Sequence, residues 1–97
     1  MAKKIVWTKR ASSNFNKIIE FLADKWGEKV TTNFVKRAYG IIELLSEQPT
    51  LGSLERPKEN IRGFPITKHN RLFYRITGTE LILLNFFDAR SGKKKKF

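Results

Sequence analysis

The chain has 97 residues, enough for one domain with one core, and its 40% hydrophobic and 12% aromatic content places it among globular rather than disordered chains. Twenty Lys and Arg stand against nine Asp and Glu, a net charge of +11, so an anionic partner is expected: nucleic acid, an acidic protein or an anionic membrane surface. The absence of cysteine and the single histidine exclude disulfides, thiolate chemistry, and Cys- or His-rich metal sites, and no metal or cofactor is expected.

Residues 3–8, KKIVWT, have strand propensity, and Thr8 is placed to cap a following helix. Over residues 9–26 a helical period follows, with Ala11, Phe15, Ile18, Leu22 and Trp26 on one face. Gly27 ends that helix. Residues 28–47 repeat the pattern through Val30, Phe34, Ala38, Ile41 and Leu45, until Pro49 and Gly52 stop it. Two amphipathic helices with so short a joint must be antiparallel neighbours. Residues 48–60, with two prolines and a glycine, are expected to form a loop.

The period then changes to that of strands. Residues 61–67 form a strand with a break at Pro65, which suits an edge or a bulge. Residues 69–77 alternate, with Leu72, Tyr74 and Ile76 on one face and Arg71, Phe73, Arg75 and Thr77 on the other. Beyond a turn at Gly78, residues 79–87 are apolar on both faces, as a central strand is. Residues 1–92 are expected to form the single domain, followed by a basic tail over 93–97. The start of the chain carries charge but no signal-peptide apolar stretch, and no run approaches the ~20 residues that span a bilayer, so a cytoplasmic location without membrane contact is expected.

The order β-α-α-β-β-β predicts an α+β fold. The N-terminal helical hairpin covers one face of a three- to four-stranded antiparallel sheet, because neither element can bury its stripe alone. The other face stays open to gather cations. Residues 53–97 hold eleven Lys and Arg against four Asp and Glu.

That element order, the helix joint "DKWGEKV", the P-x-x-G from Pro49 to Gly52, and the run "KHNRLFYRI" leading to "FFDAR" resemble the RelE/ParE toxin superfamily over nearly the whole chain. The resemblance implies the toxin of a type II toxin–antitoxin pair, often called a plasmid-stabilisation protein. It implies a small cognate antitoxin that silences the toxin, and operator DNA bound only by the toxin–antitoxin complex. RelE-like members cut mRNA on the ribosome, whereas ParE-like members inhibit DNA gyrase.

Cleavage of mRNA needs a base near the ribose 2′-OH, an acid near the leaving oxygen and cations on the phosphate. By resemblance, Arg71 and Arg90 match family arginines, and Arg62 falls near the first of a lysine pair. The second lysine position holds Phe64, and no tyrosine follows Arg90. His69 is the one candidate replacement, since imidazole suits either proton-transfer role. Tyr74 alternates with core residues and is expected to be buried with its hydroxyl satisfied. Lys68, Arg71, Arg75 and Arg90 are candidates for holding an anionic partner, with arginine suited to bidentate contact. The missing lysine and tyrosine favour a ParE-like, non-hydrolytic inhibitor with gyrase as target. A RelE-like endoribonuclease using Arg62, Arg71, Arg90 and His69 is the alternative, and a non-toxic binding module of the same fold is a third.

Overall fold

The computed structural model describes residues 2–89 and residue 97. In chain order the elements are β1 (Lys4–Trp7), α1 (Lys9–Trp26), α2 (Glu28–Glu47), a 3-10 turn (Pro49–Leu51), β2 (Ser53–Arg56), a second 3-10 turn (Pro57–Glu59), β3 (Ile61–Pro65), β4 (Asn70–Ile76) and β5 (Glu80–Asp88). The strands form one five-stranded sheet in the order β1-β5-β4-β3-β2. The fold is α+β as expected, with two refinements. The segment expected as loop contains β2, which pairs antiparallel with β3 through a bulge between Leu54 and Arg56. β1 pairs parallel to β5, so the sheet is mixed.

Local chemistry explains both helix ends. The Thr8 side chain accepts the Ala11 N–H at 3.1 Å as N-cap and donates to the Leu83 carbonyl at 2.7 Å, tying the start of α1 to β5. Gly27, at φ 89°, donates to Leu22 and Ala23 carbonyls and lets α2 begin at the next residue. α1 packs on β5 and on α2.

The core lies between the hairpin and one sheet face. It joins Ala11, Phe15, Ile18 and Leu22 of α1 to Phe34, Ala38, Ile42 and Leu45 of α2, and to Leu72, Tyr74, Leu81, Leu83 and Phe86 of the sheet. The α1 stripe matches the expected period except at its last member, since Trp26 is 59% exposed. On α2, Ile42 rather than Ile41 is buried and Val30 stays exposed, so the buried stripe drifts by one residue. Trp7, Phe15 and Phe86 meet in an aromatic cluster with ring centroids 4.8–5.6 Å apart. A bulge on β5 opposite the Phe73–Tyr74 step turns Asn85 toward α1, where its Oδ1 accepts from Asn14 Nδ2 at 2.5 Å. Pro65 ends β3 beyond the reach of β2, on an uncovered edge, where its missing N–H costs nothing.

Candidate functional site

Registered cross-strand partners share a sheet face, so the pairing sorts the candidate residues. Arg71, Phe73 and Arg75 of β4 face away from the helices. Arg71 is registered with Phe87 and Pro65, Phe73 with Gly63, and Arg75 with Ile61 and Ile82. This agrees with the alternation of the sequence, but the face is not simply solvated. Phe73 is fully buried. The Phe97 ring stands edge-on to it at 4.7 Å, and Phe87 lies 6.2 Å away. The Arg56 guanidinium sits 4.8 Å over the Phe97 ring, and Arg10 donates to the Phe97 carbonyl at 2.7 Å. Of the basic tail, only Phe97 belongs to the described residues; Lys93 to Lys96 lie outside them, as does Arg90.

Arg71 lies across the sheet toward β2. Its Nη2 donates to Glu55 at 2.9 Å, to Ser53 Oγ at 2.5 Å and to the Gly63 carbonyl at 3.3 Å. Gly63 makes this crossing possible. A Cβ there would stand 2.8 Å from Arg71 Nε and 3.0 Å from both Glu55 Oε2 and Phe73 Cε1. Arg71 is therefore a held cation, its charge matched by Glu55. Arg75, two residues on along the same face, is exposed.

Arg62 does not join Arg71. Its register partner is Tyr74, which faces the helices, so one sheet layer separates the two guanidinium groups. Arg62 Nη1 donates to the Gly52 carbonyl at 2.8 Å and the Thr50 carbonyl at 3.3 Å. Tyr74, fully buried as expected, works on the same loop. Its hydroxyl donates to the Pro49 carbonyl at 2.6 Å and accepts the Gly52 N–H at 3.0 Å. Burial pushes the Tyr74 phenol above its usual pKa, a rise moderated by the Gly52 hydrogen bond and by Arg62 and Arg71. The P-x-x-G segment is thus a structural clasp, and Arg62 is one of its fasteners. The physical reason is strand parity: Arg62 is one residue out of phase with the open face.

His69 lies elsewhere again, in the connection between β3 and β4. Its carbonyl accepts the Ala89 N–H at 2.8 Å, and its N–H donates to Thr67 Oγ1 at 3.2 Å. His69 borders a cavity of about 470 Å³ between this connection and the tip of the helical hairpin. Leu22, Trp26, Val30 and Phe34 form the apolar walls, and Asn33, Arg37, Thr67 and Asn70 complete the lining. Lys68 is exposed beside it. Arg62, Arg71 and His69 therefore belong to three separate places, a clasp, an ion pair on the open face and a cavity rim. The cavity itself was not anticipated from the sequence. Its signal was a second stripe on α2, Val30, Asn33, Arg37 and Leu44, at helical spacing beside the core stripe.

Among the described residues, no group of three His, Cys, Asp or Glu side chains is placed to hold a metal ion. No helix among them is long and apolar enough to cross a membrane.

Comparison with known proteins agrees with this architecture. A search of curated proteins returned no match. Among solved structures, the chain is similar to the chromosomal ParDE toxin–antitoxin system from P. aeruginosa, with a TM-score of 0.72 at 18% identity over 90% of this chain and 96% of that one. It is similar to a YoeB/ParE toxin from Agrobacterium tumefaciens, with a TM-score of 0.63 at 19% identity over 88% of this chain and 97% of that one. A third likeness is to the toxin–antitoxin complex RelBE2 from Mycobacterium tuberculosis, with a TM-score of 0.60 at 21% identity over 91% and 99%. These likenesses are of fold. The family described as the ParE toxin of the type II toxin–antitoxin system, parDE, matches residues 5–91, nearly the whole chain, and the chain belongs to that family of toxins.

Proposed function

We propose that the chain is a ParE-like growth inhibitor acting in the cytoplasm without hydrolytic chemistry. DNA gyrase is its target and a small acidic antitoxin its silencer, with operator DNA bound only by the toxin–antitoxin pair. Residues 1–92 carry this activity, and the basic tail over 93–97 adds salt-sensitive attraction to anionic partners. The observation that supports a non-hydrolytic reading is the dispersal of the cleavage candidates. Phosphate transesterification needs its cations and its proton-transfer groups converging within hydrogen-bond reach of one phosphodiester. Here Arg62 fastens the Pro49–Gly52 loop, Arg71 is matched by Glu55, and His69 borders a cavity at the hairpin tip. The open face offers charge and one aromatic ring for docking instead: exposed Arg75, partly exposed Arg71, and the Phe97 ring that lies over buried Phe73. Lys68 and Arg90 are assigned to partner contact with them.

The test is primer extension across a translated message after brief induction, followed by a gyrase supercoiling assay with purified protein. Intact message, arrested growth and inhibited supercoiling are expected. Discrete cuts within codons, absent from an Arg71→Ala control that still folds, would establish a ribosome-dependent endonuclease and overturn the proposal. Normal growth with active gyrase would leave a binding module of the same fold.

A further inference from the structure

Phe73 stands on the sheet face away from the helices, yet it is fully buried. Its register partner there is Gly63, which adds no side chain. The rings against it are Phe97, edge-on at 4.7 Å, and Phe87, 6.2 Å away. Phe97 is in turn held by two cations. The Arg56 guanidinium lies 4.8 Å over its ring, and Arg10, at the start of α1, donates to its carbonyl at 2.7 Å. One residue is thus gripped from β4, from the end of β2 and from α1.

Both cationic holds are open to competition. Arg10 and Arg56 are exposed, so a partner in solution reaches them directly. A guanidinium binds a carboxylate or phosphate more strongly than it binds a neutral ring or carbonyl. Arg56 also meets Glu59 at 3.5 Å, but that pair is itself exposed and resists a competitor little. Charge directs the approach. Residues 9–47 are nearly balanced, with seven Lys and Arg against five Asp and Glu, so most of the net +11 belongs to the sheet and its flanks.

Drawing Phe97 aside uncovers Phe73, so a partner that supplies only negative charge leaves a large ring bare to water. One that also brings an apolar side chain covers it again. We propose that Phe97 is a latch on the open face. It closes the Phe73 seat in the free chain, and an acidic protein surface carrying an apolar side chain opens it by taking Arg10 and Arg56 and covering Phe73. Arg71 and Arg75, two residues to either side of Phe73 on the same face, complete the cationic rim. The latch lowers the apparent affinity of such a partner in proportion to the fraction of chains that are open. This rests on the reading of that face as the docking surface.

The experiment is fluorine NMR of the full chain with 4-fluorophenylalanine in place of Phe97. Two synthetic peptides are the probes, one of eight glutamates and one of eight glutamates around a central leucine. In the unliganded chain the signal should be displaced from the free-ring position by the Phe73 ring. The leucine peptide should return it there saturably and bind at least threefold more tightly than the all-glutamate peptide. Phe97→Ala keeps Arg10 and Arg56 but lacks the latch, and should bind the leucine peptide at least threefold more tightly than the parent. Arg10→Gln, at an exposed position, keeps the fold and should by itself move the fluorine signal towards the free-ring position. A free-ring signal without peptide, a signal unmoved by the bound leucine peptide or by Arg10→Gln, or folded Phe97→Ala binding no more tightly than the parent would each overturn the latch. Failure of both peptides to bind parent and variant alike would instead remove the open face as docking surface, and the latch with it.

Discussion

Removing one oxygen, by Tyr74→Phe, tests the clasp between the sheet and the Pro49–Gly52 loop. The ring stays, so the packing of Tyr74 against the core is retained. What is lost is a hydroxyl that donates to the Pro49 carbonyl at 2.6 Å and accepts the Gly52 N–H at 3.0 Å. Each hydrogen bond contributes about 0.5–1.5 kcal/mol net, and leaving the Gly52 N–H buried and unpaired costs about 1–3 kcal/mol. Water cannot readily enter as a substitute, because the gap left is one hydroxyl wide and Tyr74 is fully buried. The expected loss is about 2–3 kcal/mol. For a domain of this size that lowers the thermal midpoint by roughly 10–20 °C, at about 4–8 °C per kcal/mol. Urea unfolding should show a lower midpoint with an unchanged slope. Hydrogen exchange at the Gly52 amide should quicken more than exchange in β5. A loss below about 0.5 kcal/mol would mean that the loop holds itself and that the clasp is geometric coincidence.

Other outcomes follow from the same geometry. The folded chain holds the Tyr74 phenol protonated above the ordinary pKa of 10.0, so this contribution is intact below pH 10 and is lost as pH climbs from there toward the folded value. The parent chain should therefore lose stability more steeply than Tyr74→Phe above that pH, as read by urea midpoints at matched ionic strength. Gly63→Ala should cost about 1–3 kcal/mol, because the new methyl meets Arg71 Nε and the buried Phe73 ring; a neutral result in thermal unfolding would show that Arg71 is free to move aside. Glu55→Gln should cost about 1 kcal/mol or less, since the pair is partly exposed, and should raise the salt concentration at which the protein leaves a heparin column. Phe97→Ala should cost about 1–2 kcal/mol by uncovering Phe73, with equal midpoints for variant and parent counting against that contact.

Much of the fold was legible in the sequence because hydrophobic periodicity is set by burial against one partner surface. α1 buries one face, read at the right phase up to Trp26, and β4 alternates as read, although Phe73 on its second face is also buried. β2 was not legible. Its four residues, Ser53–Arg56, sit between two prolines, and half of their contribution is polar: Ser53 and Glu55 serve Arg71 rather than the core. On α2 the buried stripe takes its three-residue step from Ile42 to Leu45, one turn later than the expected step from Ala38 to Ile41, and either placement of that step fits a 3.6-residue period. At the site, parity alone separated Tyr74 from Arg71 and Arg75. It could have separated Arg62 from Arg71 only with the β3–β4 register in hand, and register depends on a connection whose length the sequence does not mark. The hairpin-tip cavity depends on Trp26 and Val30 lying at the limits of their stripes, where periodicity carries least information.

The parallel pairing of β1 with β5 has a consequence for the order in which the molecule becomes active. Lys4 to Trp7 find their strand partner at Glu80 to Leu83, and α1 rests on that same strand. During synthesis the first strand and both helices emerge long before the element that organises them, and contacts of such sequence separation form late. A chain interrupted before residue 80 leaves β1, α1 and β4 without their common neighbour, so an incomplete product lacks the strand around which the fold is assembled. Pulse proteolysis of stalled chains, ending before and after β5, would show protection appearing only in the longer ones.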